Sequence, residues 1–281
     1  MKKSSAKQYS PTSVRSNYIL YSVIETYNIL KSRIEIIPVP ISSDIRPGDN
    51  LDLIILDSVK KANEFLSDGD VIIVAQKVVS KSEGRLVDLR VVNPSSRSLH
   101  IAKQYVKDPR LIELILNESV DVLRLARGML IVETKRGLIC ANAGVDQSNL
   151  EGSNYAVLLP EDADMSARKL RDSFRKKVGI DVAVIISDTF GRPFREGQVN
   201  VAIGVAGIQP LKSYIGTQDM YGKKLKVTEI AVVDEIASAA ELQMGKAERI
   251  PVVIIRGYDY RMKESTSISE LIRSKERDLF R

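Results

Sequence analysis

The sequence predicts a mixed α+β fold, because short apolar runs alternate along the chain with longer segments of helical periodicity. The short runs are rich in β-branched residues and bounded by turn residues, as buried strands are. They cover Ile34–Val39, Val71–Ala75, Val184–Ile186 and Pro251–Ile255. The longer segments have the apolar spacing of amphipathic helices and cover Leu51–Leu66, Met165–Val178 and Thr228–Met244. With 281 residues, 44% of them apolar, the chain can bury a full core in one large domain or in two lobes.

Local signals predict one more helix and a hairpin. The dipeptide Asp108–Pro109 opens a helix toward Asn117, with aspartate as the N-cap and proline in the first turn. Lys135–Gly137 has the composition of a hairpin turn, and its flanking strands are Met129–Glu133 and Leu138–Ala141.

Glycines and charges mark two helix ends and the character of the C-terminus. Three cations at Arg175–Lys177 suit the C-terminal end of a helix dipole, and Gly179 ends that helix. Gly245 likewise ends the predicted helix Thr228–Met244. Residues 261–281 alternate charges around a few apolar side chains, which predicts a charged surface helix.

Composition excludes several classes of protein. No apolar run approaches the roughly 20 residues that cross a bilayer, and the Lys-rich start leads into polar residues rather than into a signal peptide. Cys140 is the only cysteine and lies in an apolar strand, so we expect a packed thiol, no intrachain disulfide and a reducing, cytoplasmic location. Because His100 is the only histidine, a histidine-rich zinc site and a Ser-His-Asp site elsewhere are both disfavoured.

The net charge of +6 belongs to the N-terminal extension, residues 1–33. This segment carries six basic residues against Glu25, whereas the remaining 248 residues hold 36 basic and 35 acidic groups. We expect residues 1–17 to be disordered and Tyr18–Leu30 to form an amphipathic helix. A nucleic-acid-binding protein with a basic tail is therefore an alternative that depends on this extension alone.

Asp188 is the first candidate site residue, because it follows the buried strand Val184–Ile186 at a predicted strand-to-loop boundary. A carboxylate beside a buried strand is costly unless it meets a cation. That cation could be Arg192, Arg195 or a metal ion. Equally, Asp188 could cap its loop and pair with Arg192.

A second acidic loop, Asn142–Asn149, favours the metal. It also follows a predicted strand, and it surrounds Asp146 with glycine and small polar residues. Two carboxylates brought together need a divalent ion, and oxygen ligands on loops suit Mg²⁺ or Mn²⁺.

The two common nucleotide-binding motifs, the Walker A loop and the glycine-rich dinucleotide fingerprint, are absent from the sequence. Gly216–Lys224 resembles a Walker A loop but has five residues between its glycines and lysine where Ser or Thr should follow the first lysine. Gly204–Gly207 lacks the third glycine and the acidic partner of a dinucleotide fingerprint.

Several blocks of the sequence resemble the coenzyme F-420:L-glutamate ligases. They occur in the same order from Ile34 to Tyr258, which separates a 34–260 ligase domain from the 1–33 extension and the 261–281 tail. The blocks are Val79–Gly84, Ala141–Asn149, Ser187–Gln198, Ile203–Pro210, Asp219–Gly222 and Val232–Pro251.

The resemblance implies an enzyme of coenzyme F-420 biosynthesis. It implies a GTP-dependent ligase that adds L-glutamate to the carboxylate of the deazaflavin precursor F-420-0, then a γ-linked glutamate, through an acyl phosphate. It also implies Mg²⁺ or Mn²⁺, two ions per site, with K⁺ as an additional candidate. The implied subunit is two-lobed, V-shaped and α+β, and it forms an intertwined homodimer without nucleic acid or membrane partners.

The same resemblance implies roles for individual residues. Asp146 and Asp188 match metal ligands and, with Arg192, are the candidate catalytic residues; Thr189 matches a ligand of the second metal. The residues that match guanine-nucleotide contacts are Pro40, Ile41, Ser42, Ser43, Lys81, Asn149, Met244, Gly245, Lys246, Ala247 and Glu248. The family has an amide or acidic second-metal ligand where this chain has Lys246, so either Glu248 takes that role or the second metal is bound more loosely.

Other interpretations of these residues stay open at this point. Lys81 could be an ordinary exposed lysine, and Arg192 and Arg195 could either brace the Asp188 loop or bind a carboxylate or phosphate. Asn142 and Asn149 could be turn residues. The chain could also join glutamate to a different carboxylate acceptor, or bind nucleotide without turnover.

Overall fold

A computed structural model describes residues 33–148 and 154–279 of the chain. The predicted Tyr18–Leu30 helix, and the site residue Asn149, lie outside the described residues. The described strands are β1 (Glu35–Val39), β2 (Val71–Ala75), β3 (Leu86–Asp88), β4 (Ser119–Ala126), β5 (Met129–Thr134), β6 (Ile139–Ala141), β7 (Tyr155–Val157), β8 (Ala183–Arg192), β9 (Arg195–Ile208), β10 (Leu211–Ser213), β11 (Glu229–Ala231), β12 (Val252–Arg256) and β13 (Met262–Lys263). The described α-helices are α1 (Leu51–Lys61), α2 (Gln76–Ser82), α3 (Ser96–Tyr105), α4 (Pro109–Asn117), α5 (Ala163–Val178) and α6 (Val232–Met244).

A six-stranded sheet of order β1-β12-β2-β8-β9-β13 forms the centre of the fold. Its β2 and β8 strands are parallel and the other neighbouring pairs are antiparallel. Helices α1 and α5 cover one face and α6 covers the other, so Ile72 and Val74 enter one core while Val71 and Ile73 enter the opposite one. Burial on both faces explains why the strands read as continuous apolar runs rather than as alternating ones.

A further core, separate from the two cores of the central sheet, lies between the three-stranded sheet β4-β5-β6 and helices α3 and α4. Ile101 and Ile112 of the helices pack there with Leu130 and Val132 of β5. The two-stranded sheets β3-β7 and β10-β11 complete the described sheets. The mixed α and β character predicted from the sequence is confirmed.

Several local predictions, namely a helix N-cap, a hairpin, a helix end and a buried thiol, are confirmed. The Asp108 carboxylate caps α4 by accepting the Arg110 amide at 2.9 Å, and β5 pairs with β6 as the predicted hairpin. Gly179 ends α5 in the left-handed conformation, with φ +73°. Cys140 is buried, and burial raises its pKa to about 12, which fits a packed thiol.

The largest differences from the predicted boundaries concern two helices and the strand that carries Asp188. Helix α1 ends at Lys61 rather than Leu66, because Asn63 takes a left-handed φ of 55° that a helix does not accept. Helix α6 starts at Val232 rather than Thr228, because Glu229–Ala231 pair with β10 as a strand. Asp188 lies inside β8 rather than at its end, since polar residues beyond Ile186 continue to pair with β9.

The C-terminal tail is not the predicted surface helix. Within the described part of residues 261–281, Met262–Lys263 add a strand to β9, and the remaining regular elements are short 3₁₀ turns. The Asp164 carboxylate of α5 accepts the Ser267 hydroxyl at 2.7 Å and the Ile268 amide at 3.1 Å, which buries Ile268 in the core. These long-range contacts outweigh the weak helical pattern of the segment.

Among the described residues, no helix is both long enough and apolar enough to cross a membrane.

An ion-pair network ties the tail to α5 and predicts how stability depends on pH. Arg171 is 4% exposed and donates to Glu264 at 2.6 Å, Asp181 at 2.7 Å and the Val182 carbonyl at 2.9 Å. Hydrogen bonds from Arg171 and then Arg175 lower the pKa of Glu264 from 4.5 to about 2. The folded state therefore binds this proton less readily than the unfolded state does.

We expect Glu264→Gln to destabilise the protein at neutral pH and to lose that effect in acid. A depressed pKa contributes stability that is fully present above pH 4.5 and disappears as pH falls toward 2. Urea unfolding of the wild-type and Glu264→Gln proteins between pH 6 and pH 2 measures the difference. A difference that does not shrink below pH 4.5 would show that the contact is not ionic.

Candidate functional site

The sheet brings three separate chain segments to one edge. Because β2 and β8 are parallel, with Ala75 opposite Ser187, both strands reach this edge in the same direction. Helix α2 starts immediately after β2 and carries Lys77 and Lys81, while β8 continues past this point with Asp188 and Thr189. The turn after β6 brings in Asp146, whose backbone pairs with Val157.

Asp146 is held by backbone pairing and by a lysine. Its Oδ2 lies 2.6 Å from Lys77 Nζ, and Ser148 donates to the same carboxylate through its amide at 2.8 Å and its hydroxyl at 2.7 Å. Burial opposes ionisation of Asp146, but the Lys77 and Ser148 hydrogen bonds outweigh it and hold the pKa below its ordinary value. The Asp146 carboxylate is therefore ionised at neutral pH.

Asp188 is the less satisfied of the two carboxylates. Burial, the largest effect, raises its pKa to about 6; the Thr189 amide opposes that rise, whereas the negative charge of Asp146 adds to it. Its carboxylate accepts a hydrogen bond from the Thr189 amide. The neighbouring Ser187 hydroxyl is buried without a hydrogen-bond partner among the described residues.

The alternative pairing of Asp188 with Arg192 is not formed. Arg192 Nη2 donates instead to the Glu196 carbonyl at 2.5 Å, across the β8–β9 turn, and its Nε is buried without a partner among the described residues. Arg192 thus braces its own hairpin in this structure. Its catalytic role stays a prediction.

Lys77 and Lys81, one helical turn apart, place two positive charges on α2. Burial, followed by the positive charge of Lys77, lowers the pKa of Lys81, whereas the charge of Asp44 raises it. Lys81 therefore lies near both Lys77 and the loop that follows β1. It is part of a charged cluster rather than an isolated surface lysine, and such a cluster suits phosphate.

The two predicted nucleotide loops are joined to each other. Arg249 Nη1 donates to the Ser42 carbonyl at 2.7 Å, and the Ile41 amide donates to the Arg249 carbonyl at 2.9 Å. Arg249 directly follows the predicted segment Met244–Glu248, so these two bonds bring that segment beside Pro40–Ser43. Lys81 faces the same region through Asp44.

Thr189 and Glu248, both predicted metal ligands, are engaged elsewhere. The Thr189 hydroxyl donates to Asn200 Oδ1 at 2.7 Å and accepts from Lys246 Nζ at 2.9 Å. The Glu248 carboxylate accepts the amide of Ala247 at 2.8 Å, within its own loop.

Three contributing residues, Lys77, Asn200 and Arg249, were not identified from the sequence. Lys77 had a detectable signal, since it precedes Lys81 by four residues and would share its helical face once α2 is recognised. Asn200 and Arg249 contact the site only through the strand pairing of β9 and the loop after α6, and no local motif marks them.

The donor set fits one divalent cation. No group of three or more His, Cys, Asp and Glu side chains that could hold a metal occurs in the described ranges. Mg²⁺ is commonly bound by one or two carboxylates, several waters and substrate phosphates. Asp146 and the desolvated Asp188 provide that pair of carboxylates.

A cavity of about 610 Å³ lies close in sequence to this site but is distinct from it. Its lining includes Arg85, Arg136, Arg168 and Ala143, but neither Asp146 nor Asp188. Ala143 belongs to the turn that leads to Asp146.

Comparison with known proteins gives a consistent family assignment. Residues 41–257 match the family model described as F420-0:Gamma-glutamyl ligase. A coenzyme F420:L-glutamate ligase of Methanopyrus kandleri is 46% identical over 248 residues, covering 87% of this chain and 96% of the relative. Those of Methanothermobacter thermautotrophicus and Methanocaldococcus jannaschii are each 44% identical, over 83% and 77% of this chain and 93% and 86% of the relatives. The chain belongs to the F420-0:gamma-glutamyl ligase family.

Proposed function

We propose that this protein is a GTP-dependent ligase that adds L-glutamate to the deazaflavin precursor F-420-0 and then adds a γ-linked glutamate. The family membership and the names of the relatives support the substrates. The observation that carries the chemistry is the position of Lys77, which contacts Asp146 at 2.6 Å and whose charge acts on both Asp188 and Lys81. Acid groups for a cation and basic groups for phosphate meet there.

The proposed reaction forms an amide in two steps. An acceptor carboxylate oxygen attacks the γ-phosphorus of GTP, the bond from that phosphorus to the β–γ bridging oxygen breaks, and GDP leaves. The glutamate amine then attacks the acyl-phosphate carbonyl and loses a proton, and inorganic phosphate leaves. Activation is needed because joining a carboxylate to an amine in water is unfavourable.

The chain's own residues supply positioning and charge. Lys77 and Lys81 would lie against the phosphates and offset their negative charge, an effect that is stronger where water is excluded. Asp146 and Asp188 would hold Mg²⁺ or Mn²⁺, which would neutralise charge on the transferred phosphoryl group. Arg192, whose Nε is buried without a partner among the described residues, would supply a further cation for a phosphate or carboxylate.

We further propose a homodimer as the working form. The excursion between β10 and β11 exposes Met220 by 93% and Tyr221 by 91%, and the tip of the β8–β9 hairpin exposes Phe194. Exposed apolar residues on projecting segments are typical of association surfaces. This supports the two-lobed, intertwined subunit implied by the family resemblance, in which such segments would cross between protomers.

Omitting each substrate in turn tests the proposed function. GDP release should require the deazaflavin precursor, L-glutamate, GTP and Mn²⁺ together. Oxygen-18 placed in the acceptor carboxylate should appear in the released phosphate. Turnover with another carboxylate acceptor but none with F-420-0 would make the protein a different glutamate ligase, and label retained in the amide would exclude the acyl phosphate.

We expect GTP to support at least roughly tenfold higher kcat/KM than ATP. Groups in the joined 40–43 and 244–249 segments that bond the guanine edge would be left unpaired by adenine, at a cost of about 1–3 kcal/mol per buried group. About 1.4 kcal/mol corresponds to a tenfold change in rate. Steady-state kinetics with both nucleotides measure the ratio. Equal kcat/KM values would show that the proposed preference for GTP is wrong, but they would not contradict the proposed ligation reaction.

A further inference from the structure

We propose that the Lys246 ammonium group occupies the place of a second metal ion, so that each site takes one divalent cation. This inference rests on the proposed function, in which Asp146 and Asp188 hold a divalent ion. It concerns the number of ions and the residue that replaces one of them.

Lys246 spans from the end of α6 to β8. It follows Gly245, which ends α6, and its Nζ lies 2.7 Å from Glu241 Oε1 and 2.9 Å from Thr189 Oγ1. Thr189 is the residue next to Asp188 in the same strand. The ammonium is therefore anchored by a carboxylate on one side and directed at the strand that carries the metal ligand on the other.

The Thr189 hydroxyl has no room for a second cation. Its proton goes to Asn200 Oδ1, 2.7 Å away, and one lone pair accepts from Lys246. A magnesium ion on the same oxygen would lie about 2.1 Å from it. The ion and the ammonium would then be at most about 5 Å apart, and two like charges that close repel strongly in a partly buried site.

The remaining candidate ligand does not compensate. The Glu248 carboxylate is bound to the amide of its own loop and folds over Gly245. Asn200 is buried and donates to the Met244 sulfur at 3.8 Å, so its amide is also oriented. The described groups around the Thr189 hydroxyl are thus the oriented Asn200 amide and the Lys246 ammonium, and the nearby Glu241 carboxylate is already paired with that ammonium.

Replacing the ammonium should restore a second metal position. Lys246→Glu puts a carboxylate beside Thr189 and removes the positive charge, so a second divalent ion gains a ligand and loses a repelling neighbour. Lys246→Arg keeps the charge and is the matched control. Lys60→Glu, at an exposed position on α1, makes the same charge change away from the site.

Equilibrium dialysis with Mn²⁺ and saturating GDP measures bound manganese and bound GDP per protomer. We expect one Mn²⁺ in the wild-type, Lys246→Arg and Lys60→Glu proteins, and two in Lys246→Glu. Circular dichroism should show an unchanged fold, since the Lys246 side chain is 64% exposed.

Two Mn²⁺ ions in the wild type, or one in a folded Lys246→Glu protein, would overturn the inference and leave the proposed ligase function standing. An absence of bound Mn²⁺ in every protein that still binds GDP would instead overturn the metal-dependent part of the proposed function, and this inference with it.

Discussion

Asp188→Asn is expected to abolish ligation while leaving the folded structure intact. The Asp188 carboxylate is half-buried, near Asp146, and its hydrogen-bond donor among the described residues is a backbone amide, so it contributes little to packing. Its raised pKa shows that ionising it in the protein alone is unfavourable, which is the condition under which a cation gains most from binding it. Loss of this ligand should lower kcat/KM for GTP by roughly a hundredfold or more, since even outer-shell changes cost 10–100-fold.

Asp146→Asn should have an effect of the same order for a different reason. An asparagine can still accept from Ser148, but it loses the charge that Lys77 contacts at 2.6 Å. Thermal unfolding and bound Mn²⁺ separate the two possible causes of lost turnover: we expect unfolding near the wild-type temperature and weakened metal binding. Near-normal turnover of either variant at saturating Mn²⁺ would remove that residue from the site.

The sequence specified the central sheet well, because burial on both faces leaves a signal in each strand separately. Val71–Ala75 was predicted with its observed bounds, and the parallel neighbour β8 was recognised from its apolar start. The continuation of β8 past Ile186 could not be predicted in this way. Those polar residues are held by pairing with β9, and such pairing is a long-range property that no single segment shows.

The candidate site likewise contains residues that local sequence reveals and contacts that it does not reveal. Asp146, Asp188 and Lys81 lie in recognisable blocks, and in the structure the charge of Lys77 acts on all three. The contact of Lys246 with Thr189 joins residues 57 positions apart and depends on how the loop after α6 lies against β8. The sequence marked Lys246 as unusual but could not show which atom it contacts.

Lys77→Met is expected to lower kcat/KM for GTP by roughly a hundredfold, because it removes the cation that links the two carboxylates to the proposed phosphate-binding face of α2. Its Nζ contacts Asp146 at 2.6 Å and the Ser148 carbonyl at 3.0 Å, and its charge lowers the pKa of both Lys81 and Asp188. Removing one positioned electrostatic group from an active site typically costs 10²–10³-fold in rate. A merely structural role would not move the titration of Lys81.

The titration of Lys81 is therefore the decisive second measurement. Since the positive charge of Lys77 is among the causes that depress the pKa of Lys81, that pKa should rise in Lys77→Met, and the NMR signal of ¹³C-dimethylated Lys81 followed against pH reports it. Lys60→Met, which removes an exposed lysine from α1, is the control and should change neither quantity. A fall in activity without an upward shift of the Lys81 pKa would mean that Lys77 acts by holding the Asp146 loop, and not by its charge at the phosphate site.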